Sequence, residues 1–131
     1  MLGIFGNKAI ELSKRDIATL DKIDLLYMQA FSMKTAEYLR GFLLPACLEK
    51  ISRQVCNYSN RYFADDKFRK TEWLLINVKG NYYTVKKQVT FAKIRINAVM
   101  SITAATDYVE QWVLVKRDKE LLVMDIEKWR D

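Results

Sequence analysis

The chain has 131 residues, with 22 Lys and Arg against 16 Asp and Glu, a formal charge of +6, and 50% hydrophobic residues. That composition excludes a disordered chain, and one Pro with four Gly excludes collagen-like or linker-like sequence. No histidine is present, which removes every His-based triad, every His metal site and the usual near-neutral proton shuttle.

The length fits one domain over residues 1–131, made of an N-terminal segment (1–12), helices (13–60) and an antiparallel sheet (71–129). Met1 to Asn7 is apolar but too short for a signal peptide. No stretch approaches the roughly 20 apolar residues that span a bilayer. A cytoplasmic chain is expected, whose short apolar start can rest on a membrane surface or pack on a partner.

The first helix is predicted from about Ser13 to Phe31. Ser13 suits the N-cap, and Asp16 favours the positive end of the helix dipole. Ile17, Leu20, Tyr27, Met28 and Phe31 follow helical spacing, and Asp24 breaks their stripe. A second, shorter helix is predicted after Thr35, carrying Ala36, Leu39, Phe42 and Leu43. A third runs from Pro45 to about Asn60, because Pro suits a first helical turn. Leu48, Ile51 and Val55 would face inward on it, with Tyr58 or Tyr62 beyond. Cys47 and Cys56 are read as core-facing thiols on similar sides of that helix, in a reducing compartment. At 1.5 Å per residue they stand about 13 Å apart along the axis, too far for a disulfide. They lack CxxC spacing, so no metal site and no cofactor is expected.

Arg61 to Lys70 reads as the crossing from helices to sheet. Val, Ile, Thr, Trp and Tyr then dominate. Thr71 to Lys79 and Tyr82 to Lys87 flank a Gly80-Asn81 turn and read as a hairpin. Val89 to Thr103 alternates in part, with Phe91, Lys93 and Arg95 on one side. Asp107 to Lys116 alternates again, setting Tyr108, Glu110, Trp112 and Leu114 against Val109, Gln111, Val113 and Val115. Arg117 to Lys119 is a polar turn, and Glu120 to Trp129 is the last strand. The fold class is therefore α+β, with N-terminal helices packed on a curved antiparallel sheet.

This plan resembles the cone of the nuclear-transport-factor-2-like, or cystatin-like α+β, superfamily. One branch looks similar in detail: the C-terminal domain of the mitochondrial inner-membrane translocase subunit 44 and its bacterial relatives. There a helix with an AxxLRxFL-type run precedes a helix rich in Leu, Ile and Gln, as Ala36 to Leu44 and Leu48 to Gln54 do here. A Glu-x-Trp strand with a basic exit follows, as in Glu110-Gln111-Trp112 to Lys116-Arg117, and Leu121 to Trp129 closes the sheet. The resemblance spans residues 16 to 129.

The resemblance implies an apolar hollow between sheet and helices. Tyr27, Phe31, Phe42, Trp73, Phe91 and Trp112 are the candidates to line it, with Tyr83 and Trp129 beside them. The competing reading is that these aromatics fill the core. Without His, only Asp, Glu, Tyr, Lys or Cys could move protons near pH 7, after a large pKa shift, and the carboxylates Asp24, Glu110 and Asp125 are the candidates. The bland alternative has each of them solvated or paired with Lys or Arg. The basic residues Lys86, Lys87, Lys93, Arg95, Lys116 and Arg117 are read as a cationic surface for an acidic or anionic partner. No nucleic-acid signature appears, so specific nucleic-acid binding is not expected. The expectation is a non-enzymatic binding or scaffolding domain that engages a protein through its cavity or sheet face, at a membrane surface or as a homodimer through the sheet. A small-molecule binder or small cone enzyme using a pocket carboxylate is the rival reading.

Overall fold

A computed structural model describes residues 11–57, 69–96 and 100–130, with the backbone alone for residue 69, 91–96 and 100–107. Helix α1 spans Lys14–Met33. The Ser13 hydroxyl accepts from the Asp16 backbone N–H at 3.0 Å, which satisfies one of the orphan donors of the first turn. Leu20, Ile23, Asp24, Tyr27, Met28, Ala30 and Phe31 are buried at the three- and four-residue spacing of one helix face. Burying each large apolar member of that face is worth about 1.5–3 kcal/mol. The helix stops at Lys34, whose φ of 58° turns the chain left-handed.

The helix expected after Thr35 does not form. Only a 3₁₀ turn, Glu37–Leu39, follows. Gly41 at φ 96° breaks any continuation. Residues 42–44 instead lie along the last strand. The Val123 N–H donates to the Phe42 carbonyl at 2.8 Å, and the Leu44 N–H donates to the Val123 carbonyl at 2.9 Å. Helix α2 then runs Pro45–Asn57, opening on its proline as expected. Cys47, Ile51 and Val55 are buried along one side of it. Tyr58 and Tyr62 lie outside the described residues, as does 61–68 of the expected crossing. No helix among the described residues is long and apolar enough to cross a membrane.

Four strands follow: β1 (Arg69–Lys79), β2 (Tyr82–Ile96), β3 (Met100–Arg117) and β4 (Glu120–Lys128). They form one antiparallel sheet in the order β1-β2-β3-β4. Tyr82 to Lys87 and the start of the expected Val89–Thr103 strand are one continuous β2, and Thr103 belongs to β3, opposite Lys93. The register slips between Leu75 and Asn77, between Val89 and Thr90, and between Val113 and Leu114. Such bulges bend a sheet and strengthen its twist.

Pairing register separates the two faces. Trp73–Lys87–Glu110, Leu75–Val85–Trp112–Ile126 and Val78–Tyr83–Leu114–Val123 form rows across one face. Val85, Trp112, Leu114, Val123 and Ile126 join Leu20, Ile23, Tyr27, Phe31, Leu39 and Ile51 in the core. The opposite face carries the rows Leu74–Lys86–Gln111–Glu127, Asn77–Thr84–Val113–Asp125 and Lys79–Tyr82–Val115–Leu122. The chain is thus α+β, with two helices packed on a four-stranded antiparallel sheet among the described residues.

Cys47 is buried and Cys56 is exposed, and neither is in a disulfide. The expectation of two core-facing thiols fails because nine residues is two and a half helical turns, which puts them on opposite sides. Burial, then the nearby Asp125 carboxylate, pushes the Cys47 thiol up to about 11. Only a thiolate reacts with an alkylating agent. Native protein treated with iodoacetamide at pH 8 should therefore be modified at Cys56 about a hundredfold faster than at Cys47. Peptide mapping by mass spectrometry reads the ratio, and equal rates would contradict the packing of α2.

Candidate functional site

Period-two alternation places Lys87 on the same face as Val85 and Val89, which are fully buried. Lys86 points the other way. Lys87 is itself 0% exposed. The expectation of a basic surface shared by Lys86 and Lys87 is therefore corrected, since neighbours on a strand with one buried face cannot share a surface. A buried ammonium persists only when paired. Lys87 Nζ forms ion pairs with Asp24, from α1, and with Glu110 Oε1 at 3.0 Å, its cross-strand neighbour on β3. It also stands 3.4 Å from the Tyr108 hydroxyl.

Three rings surround the same nitrogen. Their centroids lie 5.0 Å away for Tyr27, 5.0 Å for Tyr108 and 5.1 Å for Trp112. Ring faces carry negative potential, so this is an aromatic cage for an ammonium, filled by the chain's own lysine. Glu110 ties the cage together. Its Oε2 accepts from the Tyr27 hydroxyl at 3.0 Å, and its Oε1 accepts from Trp112 Nε1 at 3.2 Å. The Thr71 hydroxyl of β1 lies 3.5 Å from Asp24 Oδ2. Four elements, α1, β1, β2 and β3, therefore meet at one buried ion cluster.

Desolvation pushes the Lys87 amine down, but the Glu110 and Asp24 carboxylates, with Tyr108, outweigh it and hold its pKa above the ordinary lysine value. Burial, then the charge of Glu110 and the hydrogen bond to it, hold the Tyr27 phenol well above its ordinary value. Both groups keep their protons in the folded chain at pH values where the unfolded chain releases them. Folded protein then binds more protons than unfolded, so stability falls as pH rises. Cys47 adds to this from about pH 9. Stability measured by denaturant titration should be flat from pH 7 to about 9 and then fall, each fully displaced group contributing about 1.4 kcal/mol per pH unit. A profile still flat at pH 11 would contradict the cluster.

Among the other pocket candidates, Tyr27 and Phe31 are buried, and Phe42 and Trp73 are partly buried against the core. Tyr27 meets Phe31 edge-on at 5.2 Å and Trp112 at 5.7 Å, and Trp112 meets Trp73 at 5.0 Å. Trp73 also donates from Nε1 to Asp21 at 2.8 Å. Among the described residues, the space around Tyr27, Trp73 and Trp112 is thus taken up by ring-to-ring contact and by Lys87. Tyr83 packs partly against the same core, and the Trp129 ring lies under Lys86 Nζ at 4.8 Å. Asp125 is paired with Lys50 at 2.8 Å. Phe91, Lys93 and Arg95 belong to β2, and their side chains lie outside the described residues.

Among the described basic candidates, Lys86 and Lys116 stand on opposite faces of the sheet. Lys86 is half-buried over Trp129 on the open face. Lys116 reaches Asp16 of α1 at 3.6 Å. Arg117 is exposed beside the β3–β4 turn. Tyr108 is the cage member that residue reading does not single out. Its place on the Glu110 and Trp112 side of β3 is the available signal.

Open cavities among the described residues lie elsewhere. One, about 170 Å³, lies between the segment around the 3₁₀ turn and α2 and is lined by Lys34, Glu37, Arg40, Ser52 and Cys56 among others. Another, about 420 Å³, lies at the turns joining β1 to β2 and β3 to β4. No group of three or more His, Cys, Asp or Glu able to hold a metal occurs among the described residues.

No family model matches the chain, and no curated protein matches it. A crystal structure from Xanthomonas campestris, provisionally assigned as a calcium/calmodulin dependent protein kinase II association domain, is similar over 93% of this chain and 90% of its own, with TM-score 0.48 and 13% identity. A likeness of that degree carries no statement about activity.

Proposed function

We propose that the chain is a non-catalytic, cone-type binding domain of the nuclear-transport-factor-2-like kind, which holds a protein partner on the open face of its sheet. The observation that carries this reading is the contrast between the two faces. Inside, the groups able to move protons are engaged with one another. Lys87 is enclosed by Asp24, Glu110 and Tyr108, and both oxygens of Glu110 already accept hydrogen bonds. A general acid or base must come within hydrogen-bond reach of its substrate, and at 1% exposure Asp24 offers no such reach. Outside, Leu74 is 59% exposed and Tyr82 is 51% exposed, with Ile76 at 46% on the bulge between them. Large apolar side chains grouped in this way mark interaction surfaces.

Photo-cross-linking in the native cell tests the reading. Benzoylphenylalanine is placed at Leu74 of the open face and, separately, at Leu25, an exposed position of α1. Discrete protein adducts are expected from position 74 and not from 25. Adducts from position 25 alone, or from neither, would overturn it. An adduct of twice the chain's mass from purified protein would make the partner a second copy.

A further inference from the structure

The two hairpin turns stand side by side at one end of the sheet. Gly80 and Asn81 join β1 to β2, and Asp118 and Lys119 join β3 to β4. The Lys116 N–H donates to the Asn81 carbonyl at 2.8 Å, which locks the first turn against β3. Between them lies the groove of about 420 Å³, within the size range of ligand sites. Lys79, Tyr82 and Arg117 stand on the open-face side of their strands and Asp118 in the turn beside them, so two cations lie near one carboxylate. Lys116 is shared with Asp16, but among the described residues neither Lys79 nor Arg117 has an ion-pair partner. Tyr82 leaves half its surface bare at the edge of the groove. Beyond it the row continues through buried Val115 to part-buried Leu122, so Tyr82 is the apolar contact the groove presents.

We infer that this groove docks a short acidic segment of the partner protein, its carboxylates on Lys79 and Arg117 and an aromatic or aliphatic side chain on Tyr82. The inference rests on the open-face reading above and names the chemistry of the partner. Charge complementarity selects the occupant. A chain at +6 with unpaired cations at a concave site attracts acids. A long polyanion is disfavoured, because Glu72 and Glu127 lie on the same face away from the groove and would repel it. A short segment that is acidic at one end and apolar at the other avoids that repulsion.

The test is selection of a phage-displayed library of random peptides, about 12 residues long, on the intact protein. The variant carrying Lys79→Glu and Arg117→Glu serves as the second target. Both changes lie on exposed side chains, and an unchanged circular-dichroism melt verifies folding. Peptides with two or more Asp or Glu beside Phe, Tyr or Leu should be enriched. The leading one, made synthetically, should bind about tenfold or more weaker to the double variant, and weaker still as salt rises from about 50 to 300 mM. Tyr82→Ala should also weaken it, and Arg53→Glu, on the far helix, should leave it unchanged. Enrichment without acidic residues, or equal affinity for the double variant, overturns the groove assignment. So does displacement of the peptide by single-stranded DNA binding more tightly. Cross-links at position 74 separate the two ideas: adducts there with a failed selection overturn the groove alone.

Discussion

Lys87→Met is expected to lower folding stability by about 3–5 kcal/mol, out of a total of roughly 5–15 kcal/mol for a domain of this size. Methionine nearly matches lysine in volume, so packing survives and charge is what changes. Asp24 at 1% exposure and the largely buried Glu110 would then share a low-dielectric interior with no cation between them. The loss comes from stranding those carboxylates rather than from any large net value of the ion pairs themselves. Changing Asp24→Asn and Glu110→Gln in the same chain should therefore recover more than half of it. The amide introduced at position 110 can still accept from Tyr27 or Trp112, and no buried charge is left. Urea titration of the wild-type chain, the single variant and the triple variant at pH 7 decides the matter. A cost below about 1 kcal/mol for Lys87→Met alone would mean that the cluster does not hold α1 to the sheet.

Trp112→Ala is the other change with a large expected cost, about 3–5 kcal/mol, or a fall in melting temperature of about 10–20 °C. The indole is 0% exposed and meets the rings of Tyr27 and Trp73. Removing it leaves a cavity at the centre of the core, strips one wall from around Lys87 and takes one hydrogen bond from Glu110. Trp73→Ala should cost clearly less, because that ring is only partly buried and its main polar contact is to exposed Asp21. Thermal unfolding followed by circular dichroism ranks the two. The reverse order would place the centre of the core nearer the β1 edge than the packing does.

The parts of the fold that depend on local chemistry are legible in the residues. Ser13 before Asp16, Pro45 at the start of α2 and Gly80 at a turn each act within a few positions. The stretch after Thr35 is not legible. Ala36, Leu39, Phe42 and Leu43 have helical spacing, but Gly41 at φ 96° and backbone pairing with Val123 win there. That pairing joins positions far apart in sequence, where no local pattern reaches. The ion cluster is half legible. Asp24 stands out as a carboxylate in an apolar stripe, and Glu110 as one beside Trp112. Their cation reads as a surface lysine because Lys86-Lys87 looks like a charged pair, although strand alternation already sets Lys87 with Val85 and Val89. The partner of Asp24 is supplied by the tertiary fold, since α1 and β2 are far apart in sequence.

The three residues 42–44 beside β4 have one more consequence. They occupy the N–H and carbonyl of Val123, and Lys50 Nζ takes the Ile126 carbonyl at 2.7 Å. One border of the sheet is therefore obstructed at Val123 and Ile126, while among the described residues β1 forms the other border, with an irregularity at Ile76. Fibrils extend when each molecule offers a free border on both sides. Joining through β4 meets that obstruction, so strand-to-strand growth that needs both borders is disfavoured.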